Sequence, residues 1–211
     1  MTERRLAPLS ALSTLARRPR PELTLAPAPQ PPAPVAPQRQ SLIVDNAVYS
    51  LGRRVATPPT AAESRAALAE GEDRLVWLGL YRPEPRELGE LAELFDLPEL
   101  AVEDAIQAHQ RPKFERYGST LFVVLKAARY KDLAEEVEFG ELHLFLGEEF
   151  AITVRHSESP DLSRVRRRLE SEPDLLAKGS EAVLYAILDA VVDGYRPVVD
   201  GLANDIDEIE A

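Results

Sequence analysis

The last thirty or so residues carry one apolar stripe, and that stripe limits the folds open to the chain. Leu184, Leu188, Val191, Tyr195, Val198, Leu202, Ile206 and Ile209 recur at steps of four and three, the spacing that keeps one side of an α-helix apolar. A helix is therefore predicted from about Ser180 to the last residue, with a coiled-coil-like seam. Gly194 and Pro197 should bend or weaken it locally. The pattern is still apolar at Ile209, with no capping glycine or stop proline before Ala211, so the helix is expected to be cut rather than finished. On the same helix Asp189, Asp193, Asp200 and Asp207 return within about 40° of one another at about 100° per residue. Clustered carboxylates repel unless they are solvated or neutralised by cations. Mg2+, which keeps much of its water and takes one or two carboxylates directly, suits such a ridge. An ordinary solvated helix face explains the same spacing.

The other end of the chain cannot pack in this way. Residues 1–40 hold nine of the 18 prolines and few aromatic or β-branched side chains, too little to offset the entropy of ordering, so they are expected to form a disordered Pro-rich tail. They also hold six Arg and two acids, net +4, against 19 basic and 34 acidic residues in the remainder, net −15. An acidic body repels nucleic acid and leaves divalent cations as plausible partners. There is no cysteine, which rules out disulfides and thiolate metal sites. The histidines, His109, His143 and His156, lack the spacing of a zinc or di-iron site. No stretch reaches the ~18–20 apolar residues that span a bilayer, so the chain as it stands is expected to be soluble, and its N-terminus has no secretory h-region.

Between these ends the pattern is α/β. Residues 41–51 read as a strand or hairpin with Asp45-Asn46 as its turn, 61–70 as a short helix, and 75–80 as a buried strand. Pro83-Glu84-Pro85 starts a helix on which Leu88, Leu91, Leu94 and Phe95 recur. Asp96-Leu97-Pro98 ends it and opens the next. Strands follow at 120–130, 138–146 and 150–155, the last two joined by the short turn Gly147-Glu148-Glu149. Alternation along 141–146 places His143 opposite the Leu142 face, as a structural residue. Residues 161–170 form a charged helix with Arg164, Arg166, Arg167 and Arg168 in solvent. The predicted architecture is a mixed parallel/antiparallel sheet flanked by helices, leading into the long C-terminal helix.

The chemistry centres on residues 100–117. Glu103 and Asp104 share a helical turn, about 100° apart, so they serve two neighbouring sites, or one between subunits, more easily than a single mononuclear site. As an alternative, Glu103 is simply an acidic residue near a helix N-terminus. His109-Gln110-Arg111-Pro112-Lys113 then stops the helix, because Pro112 forces Arg111 out of the helical region and makes a fixed corner into a strand. No nucleophile or partnered base accompanies His109, so catalysis is not expected.

This order, a Glu-Asp pair, His-Gln-Arg-Pro-Lys and a Tyr, resembles the cytosolic domain of the CorA family of magnesium and cobalt channels. Leu184-Tyr185-Ala186-Ile187-Leu188-Asp189-Ala190 running into Asp205-Ile206-Asp207-Glu208-Ile209-Glu210 is similar to the start of that family's stalk helix. The family usually has His-Pro-Leu before the carboxylate pair, where this chain has Pro98-Glu99-Leu100. The resemblance covers about residues 41–211 and implies a regulatory domain over 41–178, a stalk beginning over 179–211, and no enzyme. It implies that Glu103, Asp104 and Asp189 are oxygen ligands, direct or through water, for weakly bound regulatory Mg2+, with Co2+ as a second ion, at subunit interfaces. The full-length protein would be a homopentamer in the cell membrane, anchored through a C-terminal part absent here, with this portion cytoplasmic. The zinc-transporting branch of the same superfamily, a soluble Mg2+-dependent phosphoryl-transfer enzyme and a plain coiled-coil module are the rival readings. The enzyme lacks a phosphate-cradling glycine loop.

Overall fold

The structure, a computed structural model, describes residues 43–131 and 136–210. The expected Pro-rich tail lies outside the described residues. Among the described residues, seven strands form one sheet in the order β2-β1-β3-β7-β6-β5-β4. They are β1 (Ile43–Ser50), β2 (Arg53–Ala56), β3 (Arg74–Tyr81), β4 (Lys113–Tyr117), β5 (Thr120–Lys131), β6 (Glu136–Leu146) and β7 (Phe150–Arg155). Only β3 and β7 pair in parallel, through Val76 to Tyr81 against Phe150 to Arg155, and every other neighbouring pair is antiparallel. The sheet is mixed, as predicted.

Helices cover both faces. On one lie α1 (Ala61–Leu68), α2 (Pro85–Phe95) and α3 (Glu99–Gln107), which bury Leu68, Leu88, Leu91, Phe95, Ala101 and Ala105 against Val76, Leu78, Phe122 and Phe145. On the other lie α4 (Leu162–Glu170), α5 (Pro173–Leu176) and α6 (Ser180–Glu210), which bury Leu162, Leu169, Leu176, Val183 and Ile187 against Trp77, Val123, Leu142 and Leu144. The alternation of β6 divides these layers, with Leu142, Leu144 and Leu146 facing α6 and Phe145 facing α1–α3.

Local chemistry sets the element ends. Thr60 caps α1 by accepting the Glu63 N–H at 3.2 Å. Pro85 opens α2 inside a capping box of Glu84 and Glu87, and left-handed Asp96 closes it. After α3, Ala108 and His109 take consecutive positive φ values of 53° and 61° before Pro112, so the expected corner is a strained one.

Two expectations are corrected. Asp45 and Asn46 are not a turn. They lie inside β1 opposite Gly79 and Leu78, and the reversal falls at Leu51-Gly52, both at positive φ. Arg166 is not solvated, because it lies on the apolar side of α4 with Leu162, Val165 and Leu169 and is 3% exposed.

The long helix α6 runs unbroken through Gly194 and Pro197. At about 1.5 Å per residue it is about 45 Å long. Its two glycines lie where it meets β5: a Cβ on Gly194 would come 3.1 Å from the Ala128 carbonyl oxygen, and one on Gly201 2.6 Å from the Tyr130 ring. Close approach is therefore their role, more than flexibility. Among the described residues, no helix is long and apolar enough to cross a membrane.

Candidate functional site

The three predicted ligands are not brought together within one chain. Glu103 and Asp104 lie on α3, whose Ala101, Val102 and Ala105 pack on one face of the sheet. Asp189 lies on α6, whose Val183, Ile187 and Val191 pack on the other. Among the described residues, no group of three or more His, Cys, Asp or Glu could hold a metal ion.

Each carboxylate has its own neighbour. Exposed Glu103 accepts the Gln107 side-chain amide at 2.8 Å, one turn along α3. Asp104 accepts the Lys113 ammonium at 2.7 Å, and the same ammonium reaches Glu115 at 2.8 Å. Tyr117 steadies Glu115 by donating its hydroxyl at 2.9 Å. Burial works against the Lys113 ammonium, but its hydrogen bonds to Asp104 and Glu115 outweigh that and raise its pKa. Asp189 accepts Arg168 Nη1 at 2.7 Å. Asp193, Asp200 and Asp207 of the acidic ridge are exposed. An all-oxygen donor set of this kind suits Mg2+ chemically, but one chain supplies it only in pieces on opposite faces.

The corner that carries Lys113 is fastened from below. The Gln110 N–H donates to Glu141 Oε1 at 3.2 Å, and His156 Nε2 donates to the Ala105 carbonyl, near the end of α3, at 3.1 Å. Glu141 is buried and also pairs with Lys126 and with His143 Nε2. Burial works to raise its pKa, yet Lys126, the Gln110 N–H and His143 hold it below the usual carboxylate range. His143 is fully buried, stacked on Phe122, and its Nδ1 has no partner. Burial pushes it down to about 4, against the pull of the Glu141 carboxylate. The structural reading of His143 fits this placement.

Sequence reasoning missed a second cluster, beneath α4. Arg166 Nε lies 2.8 Å from Asp45, its Nη1 donates to the Tyr49 hydroxyl at 3.2 Å and to the Trp77 carbonyl at 3.1 Å, and its guanidinium lies 4.1 Å above the Trp77 ring. Tyr49 in turn donates to Glu170 at 2.6 Å, and burial pushes its hydroxyl up to about 12 although Arg166 pulls it down. The signal was present in the helical spacing of Leu162, Val165, Arg166 and Leu169.

The outer side of α6 is unusually apolar. Tyr185 (56%), Val192 (67%), Val199 (62%) and Ile206 (56%) are exposed at seven-residue intervals, with exposed Tyr195 and Leu202 between them. This a/d spacing is separate from the buried line of Ile187, Val191 and Val198.

Residues 72–211 match the family model described as CorA-like Mg2+ transporter protein. A curated relative, the putative metal ion transporter YfjQ of Bacillus subtilis (strain 168), is 37% identical over 134 residues, covering 64% of this chain and 41% of the relative. The chain thus spans less than half the length of that protein. Among solved structures, the soluble domain of CorA from Methanocaldococcus jannaschii superposes with a TM-score of 0.58 at 17% identity, covering 80% of this chain and 64% of that one. The cytoplasmic domain of ZntB from Vibrio parahaemolyticus RIMD 2210633 does so with a TM-score of 0.52 at 17% identity, covering 64% of this chain and 54% of that one. At these identities the structural likeness concerns the fold.

Proposed function

Because the chain belongs to the CorA-like Mg2+ transporter family, a family of transporters and not of enzymes, we propose that it is the cytoplasmic ion-sensing and gating domain of a longer, membrane-anchored homo-oligomeric transporter for Mg2+, with Co2+ as a second ion. The observation that carries this reading is the placement of Asp104 and Asp189 on opposite faces of one sheet. Carboxylates so placed act on one ion only when a neighbouring chain supplies the second. The exposed seam of α6 gives copies of the chain a way to assemble, five in the expected pentamer.

In such an assembly, Glu103 and Asp104 of one chain face Asp189 of the next. Without an ion the carboxylates repel across the interface and loosen it. A hydrated Mg2+ between them offsets that repulsion and holds the chains in a closed arrangement, which α6 passes on to the pore. Few carboxylates set against a retained water shell make the sites weak, as a sensor of cellular Mg2+ requires. Zn2+ is the less favoured regulatory ion for these residues, since they offer oxygen donors and the chain has no thiolate.

The test is Mg2+ flux into liposomes carrying the full-length protein, measured against internal Mg2+. Asp104→Asn with Asp189→Asn should raise the Mg2+ concentration needed to stop flux while leaving transport intact. An unchanged inhibition curve would remove these residues from sensing.

A further inference from the structure

Lys113 is held in a way that a chance surface ion pair is not. Its ammonium lies 2.7 Å from Asp104 and 2.8 Å from Glu115, and 5.6 Å from the centre of the Phe122 ring. Its backbone is fixed by pairing with β5, opposite Val124, directly after the Pro112 corner. Glu115 is itself fixed by the Tyr117 hydroxyl. A cation therefore already stands against Asp104. Glu103, next to it, accepts an uncharged amide. Arg168 does for Asp189 what Lys113 does for Asp104, at 2.7 Å, but its side chain is 57% exposed and its other carboxylate, Glu172, lies 3.9 Å away.

We propose that Lys113 is an exchangeable counter-ion: a divalent cation reaches Asp104 only by displacing it, and Glu115 receives the lysine when it leaves. This rests on the reading of Asp104 as a ligand. The exchange keeps charge paired at every stage. In the ion-free chain Lys113 bridges Asp104 and Glu115. In the loaded chain the divalent ion takes Asp104 while Lys113 stays on Glu115. Lys113 then sets how much Mg2+ is needed, and Glu115, which is not a ligand, lowers that requirement. Arg168 has no receiving carboxylate so close and is exposed, so its control over Asp189 is the weaker of the two.

Opposite changes on the two sides of Lys113 test the exchange. Free Mn2+, read by its electron paramagnetic resonance signal, is titrated with the purified chain, and each variant is checked by its melting temperature. Lys113→Met should bind Mn2+ about tenfold more tightly, since an opposing cation is removed, and Glu115→Gln about threefold more weakly, since the lysine loses its second partner. Adding Asp104→Asn to Lys113→Met should abolish the gain. In the unaltered chain, acylation of Lys113 followed by mass spectrometry should quicken as Mg2+ is added, a measurement that needs no variant to fold. If Asp104→Asn weakens Mn2+ binding while Lys113→Met leaves it unchanged, or while Lys113 acylation ignores Mg2+, the exchange is overturned and the ligand reading stands. If the tighter binding of Lys113→Met survives Asp104→Asn, the ligand reading of Asp104 falls, and the exchange with it.

Discussion

Beneath α4 the buried charge is a guanidinium, Arg166, whereas beneath the end of α3 it is a carboxylate, Glu141, with a histidine beside it. Both clusters hold a helix to the sheet, and each helix bears on a carboxylate proposed to sense the ion: α3 carries Asp104, and α4 presents Arg168 to Asp189. Their chemistry differs. Arg166 stays charged at any ordinary pH and is satisfied by Asp45, Tyr49 and the Trp77 carbonyl. His143 is kept neutral by burial and leaves one nitrogen unpartnered. The lesson is that one fold can tie down two helices, one carrying a proposed sensor carboxylate and the other its arginine partner, with opposite sensitivity to pH.

The largest effect should come from breaking the permanent charge. Arg166→Met removes the buried guanidinium from Asp45, the Tyr49 hydroxyl and the Trp77 carbonyl, with Arg54 farther off at 3.8 Å from Asp45 and 3.5 Å from the Tyr49 hydroxyl, and should cost about 3–5 kcal/mol in urea unfolding. A cost below about 1 kcal/mol would mean that Arg166 fills space and little more.

Next is the pH dependence of stability. His143 titrates near 6.5 when unfolded and at about 4 when folded, so the unfolded chain binds the extra proton between those values. Stability is then complete above about pH 6.5 and falls as pH drops towards 4, by as much as about 3 kcal/mol. Lowered His156 adds in the same direction. Under α4 the sign is reversed. Tyr49 is raised to about 12, so stability is present below pH 10 and is lost as pH rises through 10 towards 12, by as much as about 3 kcal/mol. His143→Leu should flatten only the acid limb and Tyr49→Phe only the alkaline limb. A variant that flattened both would show that the two clusters are one unit.

The smallest effects belong to the carboxylates themselves. Asp104→Asn and Asp189→Asn break partly exposed ion pairs and should each cost no more than about 1 kcal/mol, with Asp104 the larger because its lysine is shared and held. Val199→Ser, on the exposed seam, should leave monomer stability within about 0.5 kcal/mol and weaken self-association instead.

Much of the fold could be read from residue pattern, and the failures share a cause. Leu88, Leu91 and Phe95 on α2, and the strands around Leu142 and Ile152, follow from periodicity because each buries an apolar face. Strand β2, Arg53–Ala56, has no such face and exists by pairing with β1. Asp45-Asn46 looks like a turn because those residue types favour turns, yet Asp45 is claimed by Arg166, and Asn46 by Ser64 and the Pro58 carbonyl. In α6 the apolar steps were legible but their division was not. Val191 and Val198 go to the domain while Val192 and Val199 remain outside. The candidate ligands Glu103, Asp104 and Asp189 were named from a motif, but a motif does not say that two of them lie on one face and the third on the other.

That separation gives the central claim its sharpest test. Sedimentation velocity of the purified chain, with and without millimolar Mg2+, compares the unaltered protein with the Asp104→Asn, Asp189→Asn double variant. The account predicts that Mg2+ shifts the unaltered chain towards larger species and leaves the double variant where it was. A tight assembly that ignores Mg2+, or an equal shift in both proteins, would contradict an ion held between chains by these carboxylates.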